Sequence, residues 1–171
     1  LKNYVSTQRG NFNHDPFNTF DWYMDTCERF GHQAAFYFIA GHSSELMDGC
    51  YEISEPRIQD LLYRIADRGH EIGTHASFNT YQDRIQLESE RLRLIDTCDK
   101  LGINASAKGN RQHYLRWDTS QTPDHIDASG YEYDTTGAFA DRPGFRYGTS
   151  RPFTMWSWNK MKPLNIKQRP L

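Results

Sequence analysis

Three times along this chain a helical pattern stops at a glycine and a short apolar run begins within a few residues. The first helix starts at Asn18 or Thr19, carries Phe20, Met24, Cys27 and Phe30 on one face, and ends at Gly31, before the run 34–40. The second takes Ser54 as its cap, has Pro56 in its first turn, turns Ile58, Leu61, Leu62 and Ile65 inward, and ends at Gly69, before the run 70–77. The third begins at Thr80 or Asp83, aligns Leu87, Leu94, Cys98 and Leu101, and ends at Gly102, before a weaker run at 107–111. Apolar residues three and four apart make one helical face, and a residue without a Cβ enters the left-handed conformation that closes a helix. Apolar runs bounded by glycine fit strands buried on both faces. A short helix over 123–129 and a strand over 131–135 complete the alternation, and residues 1–17 read as an irregular lead-in.

Alternation with short connections predicts an α/β fold of parallel strands joined by right-handed crossovers. Periodicity does not decide between an open sheet and a closed barrel. In either case functional groups gather at the C-terminal ends of the strands, which singles out the segments from His75 to Asn79, from Arg111 to Trp117, and from Thr135 onward.

At 171 residues the chain is long enough for one domain with its own core. A net charge of −2, with both signs interspersed, gives no footprint for nucleic acid or an anionic membrane. Mean hydropathy is −0.84, and no apolar run approaches the ~18 residues of a spanning helix. The start of the chain carries no signal-peptide pattern, so a cytoplasmic location is expected over secretion, although the first residue is not Met. Cys27, Cys50 and Cys98 are widely spaced and form no Cys-x-x-Cys, so they are expected to be reduced. Nothing in the sequence fixes an oligomeric state.

The chemistry centres on Gly69-His70-Glu71-Ile72-Gly73-Thr74-His75-Ala76-Ser77-Phe78-Asn79. His75 and Asn79 converge if the chain turns after the strand. Imidazole is a common ligand for zinc, nickel or cobalt, and an amide oxygen is a weaker, harder donor. The alternative is a hydrogen-bonded histidine followed by a helix-entry asparagine. Arg111 and His113 stand two apart and share a face if their strand continues.

This segment, preceded by Ala35-Phe36-Tyr37-Phe38-Ile39-Ala40-Gly41, resembles the polysaccharide deacetylase family, the NodB-homology carbohydrate esterases. Asp15-Pro16-Phe17-Asn18-Thr19-Phe20-Asp21-Trp22, Arg111-Gln112-His113-Tyr114-Leu115-Arg116-Trp117 and Tyr133-Asp134-Thr135-Thr136-Gly137 resemble a bacterial subgroup of it, as do Pro143-Gly144-Phe145-Arg146 and Gly148-Thr149. The resemblance spans roughly residues 15–153. It implies an incomplete (β/α) barrel, a divalent metal (zinc, with cobalt or nickel as alternatives), and removal of N- or O-acetyl groups from a glycan. It puts His75 in the first metal-histidine position and Asn79, a departure, in the second. Arg111 matches the arginine that steadies a catalytic aspartate, while His113, Tyr114 and Trp117 are expected at the substrate, with Phe139 as a further aromatic surface.

The family's paired aspartates are not found. Asp21 sits in the first turn of a helix, where a carboxylate is explained by the dipole, and Asp15 belongs to an Asp-Pro turn. The chain therefore reads as a central fragment truncated at both ends, lacking base and acid and with little activity of its own. Two other readings remain: a non-catalytic glycan binder that has lost its metal, and a glycoside hydrolase using Glu71 and Asp134 across a cleft.

Overall fold

The computed structural model describes residues 15–104 and 107–170, so all but the last three residues of the lead-in lie outside the described part. The elements run α1 Phe20–Arg29, β1 Ala35–Phe38, α2 Pro56–Asp67, β2 Glu71–Ala76, α3 Arg84–Lys100, β3 Gly109–Gln112, a 3-10 turn His113–Leu115, α4 Thr122–Ala128, β4 Tyr133–Asp134, β5 Phe153–Ser157 and β6 Lys162–Gln168. They build one six-stranded sheet in the order β1-β2-β3-β4-β6-β5. Neighbours from β1 to β6 pair parallel, as the alternation predicts, and β5 pairs antiparallel with β6. Among the described residues the sheet does not close, and β1 and β5 are its edges.

The glycines that end α1, α2 and α3 all take positive φ: Gly31 at 69°, Gly69 at 77° and Gly102 at 70°. Asp83 caps α3, accepting from Gln86 N–H at 3.0 Å. The cap of α2 is Glu55 rather than Ser54; its carboxylate takes the Glu52 N–H at 2.9 Å and folds the entry turn around itself. Phe30, expected on the apolar face of α1, follows the last turn and is exposed, and Met24 alone of that face is fully buried. The hairpin β5–β6 is the element that the alternation does not anticipate.

Strand alternation sorts the sheet into two faces. Phe38 and Ile72 pack toward the helices, in a core with Met24, Leu62, Ile65, Leu94 and Cys98. Ala76 joins Leu87, Ile126, Tyr131, Met155, Leu164 and Ile166 in a second core cluster. The intervening residues Tyr37, Glu71, His75, Arg111, Tyr133 and Arg169 belong to the opposite face. Two glycines there make room for aromatic rings. A Cβ on Gly73 would meet the Tyr37 ring at 2.7 Å, and one on Gly109 would collide with Tyr133. Tyr133 in turn donates to Glu71, and Arg169 lies 3.5 Å above the Tyr133 ring.

Candidate functional site

Parallel register carries His75 and Arg111 to the same level, since the two are direct partners of β2 and β3. Beyond Gln112 the strand gives way to the 3-10 turn, so His113 reaches the site from a turn and not from a continued strand. Tyr114 and Leu115 in that turn hold φ of 55° and 53°. Consecutive non-glycine residues in the left-handed region are strained by about 1–3 kcal/mol each, and the strain sits where the chain delivers His113.

His75 Nε2 lies 2.9 Å from His113 Nδ1, and His113 Nε2 lies 2.8 Å from the Met47 carbonyl. A carbonyl only accepts, so in the neutral ring Nε2 of His113 carries the proton and Nδ1 presents its lone pair. His75 then donates from Nε2. The Arg111 backbone beside the same ring favours a proton on it. Burial, then the neighbouring His113, then Arg111 push the His75 pKa down to about 4, so this ring is neutral at physiological pH.

The loop after β1 completes the site through Asp48. Its carboxylate accepts from the backbone N–H groups of Ser43 at 2.7 Å, Ser44 at 2.8 Å and Phe78 at 2.8 Å. Burial opposes the charge, but these bonds outweigh it and, with His113 nearby, hold the carboxyl below its usual range. Ser43 passes the tie onward: its hydroxyl oxygen lies 2.7 Å from the Ser77 hydroxyl oxygen and accepts the Asn79 N–H at 2.8 Å. Beneath them lies Glu90, fully buried on α3, which accepts from the Ser77 N–H at 2.9 Å, from the Ser77 hydroxyl and from Gln86. Burial raises the Glu90 carboxyl above its ordinary range.

Asn79 is engaged on both sides of its amide. The nitrogen donates to the Ser43 carbonyl at 2.7 Å, and the oxygen accepts from Arg116 at 3.2 Å. Arg116 stands between the rings of Phe78 and Tyr81, 3.9 and 4.0 Å from their centroids, and also bonds the Phe78 carbonyl and the Tyr81 hydroxyl. Arg111 donates from Nε to Thr135 Oγ1 at 3.0 Å and lies 4.6 Å over the Tyr37 ring. Its two outer nitrogens have no partner among the described residues. Tyr114 is exposed and stacks edge-on against His113 and Phe78, at 4.6 and 5.8 Å between centroids. Trp117 is half-buried and lies against the core beside α4; Phe139 sits under the guanidinium of Arg142.

His75, His113 and Arg111 thus come together, with Tyr114 on the rim. Sequence reasoning missed Asp48, Ser43, Glu90 and Arg116, which hold these groups in place. Among the described residues no group of three or more His, Cys, Asp or Glu forms a metal cluster. The facing nitrogens of His75 and His113 fit two positions of a metal site and do not complete it. The carboxylate pair of the hydrolase reading does not form. Glu71 faces the side of Tyr133, while Asp134 lies on the helix side, fully buried and bonded by Thr136 and Asn110. A depression of about 670 Å³ opens beside Gln33, Gly69, Lys108 and Glu132 at the N-terminal ends of the strands, the end that parallel sheets do not use for chemistry.

No protein-family profile matches the chain, and no curated protein sequence does. Among solved structures the chain is similar to a protein from Mycobacterium smegmatis classed as a candidate polysaccharide deacetylase, with a TM-score of 0.62 at 15% identity. The fold is similar to a polysaccharide deacetylase fold. The match covers 91% of this chain and 46% of that one, so the chain spans about half the length of the structure it resembles. No helix among the described residues is long and apolar enough to cross a membrane.

Proposed function

We propose that this chain belongs to a metal-dependent hydrolase that removes acetyl groups from a glycan, with His75 and His113 as the cation's protein ligands in this part of the protein. The facing ring nitrogens, 2.9 Å apart, carry the reading. Moving one proton from Nε2 to Nδ1 of His75 frees two converging lone pairs. The His113 ring is backed by its bond to the Met47 carbonyl, the usual support for a ligating histidine. Zinc suits an imidazole pair, with cobalt or nickel as alternatives. The donor opposite His75 is assigned to His113 and not to Asn79, whose oxygen Arg116 already occupies.

Such a cation, when bound, supplies a Lewis acid and an activated water. Arg111, stacked on Tyr37 and bonded to Thr135, orients a carboxylate through its free outer nitrogens. A carboxylate so oriented acts as the base. Tyr114 flanks the sugar. The test is acetate release from N-acetylated chitooligosaccharide by the natural protein, stripped of metal and then reloaded with zinc. Zinc-dependent acetate release that His75→Phe abolishes is expected; release of reducing ends, or zinc-independent acetate release, overturns the reading. The engaged amide of Asn79 favours one other outcome, a glycan-binding relative without turnover, which shows as no acetate release while the same oligosaccharide still binds by calorimetry.

A further inference from the structure

Three of the chain's four tryptophans, Trp117, Trp156 and Trp158, meet in a single groove of about 330 Å³ between β5, the start of α4 and the loop that leads into β5. That volume lies at the small end of the ~300–1,000 Å³ typical of ligand pockets, which combine aromatic walls with a few placed polar groups. Trp156 and Trp158 are 43% and 59% exposed, so their indole faces are open to solvent. Tyr147 and Phe153 close one side, edge to face at 5.2 Å, with Tyr147 seated over Gly137, where a Cβ would collide with its ring.

The walls are held in place. Ser157, between the two tryptophans, donates to the Asp124 carboxylate on α4 at 2.8 Å, and Lys160 pairs with the same carboxylate at 2.8 Å. The hairpin that carries Trp156 and Trp158 is therefore pinned to α4, and little ordering remains for a ligand to impose. The charge is one-sided: Arg146 lines the groove, no Asp or Glu does, and Arg146 makes no ion pair among the described residues.

We propose that this groove binds a sugar unit carrying a carboxylate, with the indoles packing on the apolar faces of the ring and Arg146 holding the carboxylate through paired N–H···O bonds. A sugar ring offers a C–H face to flat aromatic walls and hydroxyls at its edge to Thr119 and the indole N–H groups. One guanidinium balances one carboxylate, whereas a phosphate dianion would leave charge unmet. The inference deepens the glycan reading above by naming an acidic sugar, and it requires neither metal nor hydrolysis. Failed acetate release leaves this binding prediction intact, and failed binding leaves the acetate test intact.

The test is a tryptophan-fluorescence titration of the whole chain, carrying Trp22→Phe so that only groove indoles report, with digalacturonate and with its neutral methyl ester. Digalacturonate is expected to bind at least about tenfold more tightly than the ester, the worth of one charge-assisted bond. Arg146→Gln removes that difference, and Trp158→Ala weakens both ligands. Both side chains are exposed, and circular dichroism checks that the variants fold. Saturation-transfer NMR with methyl glucuronide on the unsubstituted chain gives an independent reading and is expected to mark the pyranose C–H protons. Equal affinity for acid and ester, an unchanged Arg146→Gln variant, no saturable binding, or tighter binding of adenosine monophosphate than of digalacturonate overturns the proposal.

Discussion

Removing the Asp48 carboxylate is the sharpest structural test of how the site is held. Its oxygens take three backbone N–H groups, from Ser43, Ser44 and Phe78 at 2.7–2.8 Å, and the Ser43 hydroxyl at 3.3 Å. Asp48→Ala strips all of them at once. A backbone donor left without a partner costs about 1–3 kcal/mol when buried; Asp48 is half-buried, and water reaches part of the gap. The expected loss of unfolding free energy is therefore about 3 kcal/mol, and about 6–12 °C in Tm for a chain of this length. In Asp48→Asn the remaining oxygen can stay under the Ser43 and Ser44 donors while the NH2 faces the Phe78 N–H, so it is expected to lose stability, but less than Asp48→Ala. Because the folded carboxyl titrates below its usual 3.8, its contribution is whole above that pH and disappears as pH falls through the lower, folded value. Urea unfolding and thermal melts at pH 7, both followed by far-UV circular dichroism, measure the free energy and the Tm. A Tm change under about 2 °C for Asp48→Ala, or wild-type stability for Asp48→Asn, refutes the clamp.

Three further outcomes follow from the same geometry. Since His75 is neutral when folded, with a pKa near 4 against 6.5 when free, the unfolded chain takes up the proton first. Stability therefore falls as pH drops from 6.5 toward 4, by at most about 3 kcal/mol, and denaturant midpoints across that window should flatten in His75→Phe. Gly109→Ala drives a methyl group into the Tyr133 ring, an overpacking expected to cost about 1–3 kcal/mol, and thermal melting should show the same substitution costing less when made in a Tyr133→Ala background. Glu90→Gln keeps acceptor and volume at a group whose carboxyl is already raised, so its unfolding midpoint should stay close to wild type. Glu90→Ala, which orphans the buried Ser77 N–H, is expected to cost about 2 kcal/mol or more in the same measurement.

The parts of the fold legible in sequence are those where one local signal suffices. Gly31, Gly69 and Gly102 stop helices because a positive φ is needed there, and the apolar runs behind Gly31 and Gly69 do form strands, although the first lies at the sheet edge and fully buries only Phe38 instead of being covered on both faces. The β5–β6 hairpin escapes that logic. Leu164, Ile166 and Gln168 do alternate inward, but Pro163 sits at the start of that strand, and β5 is an irregular edge strand with a register shift between Thr154 and Trp156. A proline within such a run demotes it on sequence grounds. With the hairpin unread, Trp156 and Trp158 gave no sign of joining Trp117. At the site, His75, Arg111 and His113 lie at strand ends and are found by position. Asp48 and Ser43 lie 30 and more residues from the Phe78 and Asn79 groups they hold, in a loop without periodicity, and Arg116 looks like any loop arginine until two aromatic rings are seen around it.

The paired imidazoles are tested most directly by titrating zinc into the metal-free chain while following the ring nitrogens by long-range 1H–15N NMR. Saturable binding of one cation per chain is predicted, with His75 Nε2 and His113 Nδ1 shifting together, His75 moving its proton to Nδ1, and all of this absent in His75→Phe. Zinc that leaves both rings unchanged, with the hydrogen bond between them intact, contradicts the account.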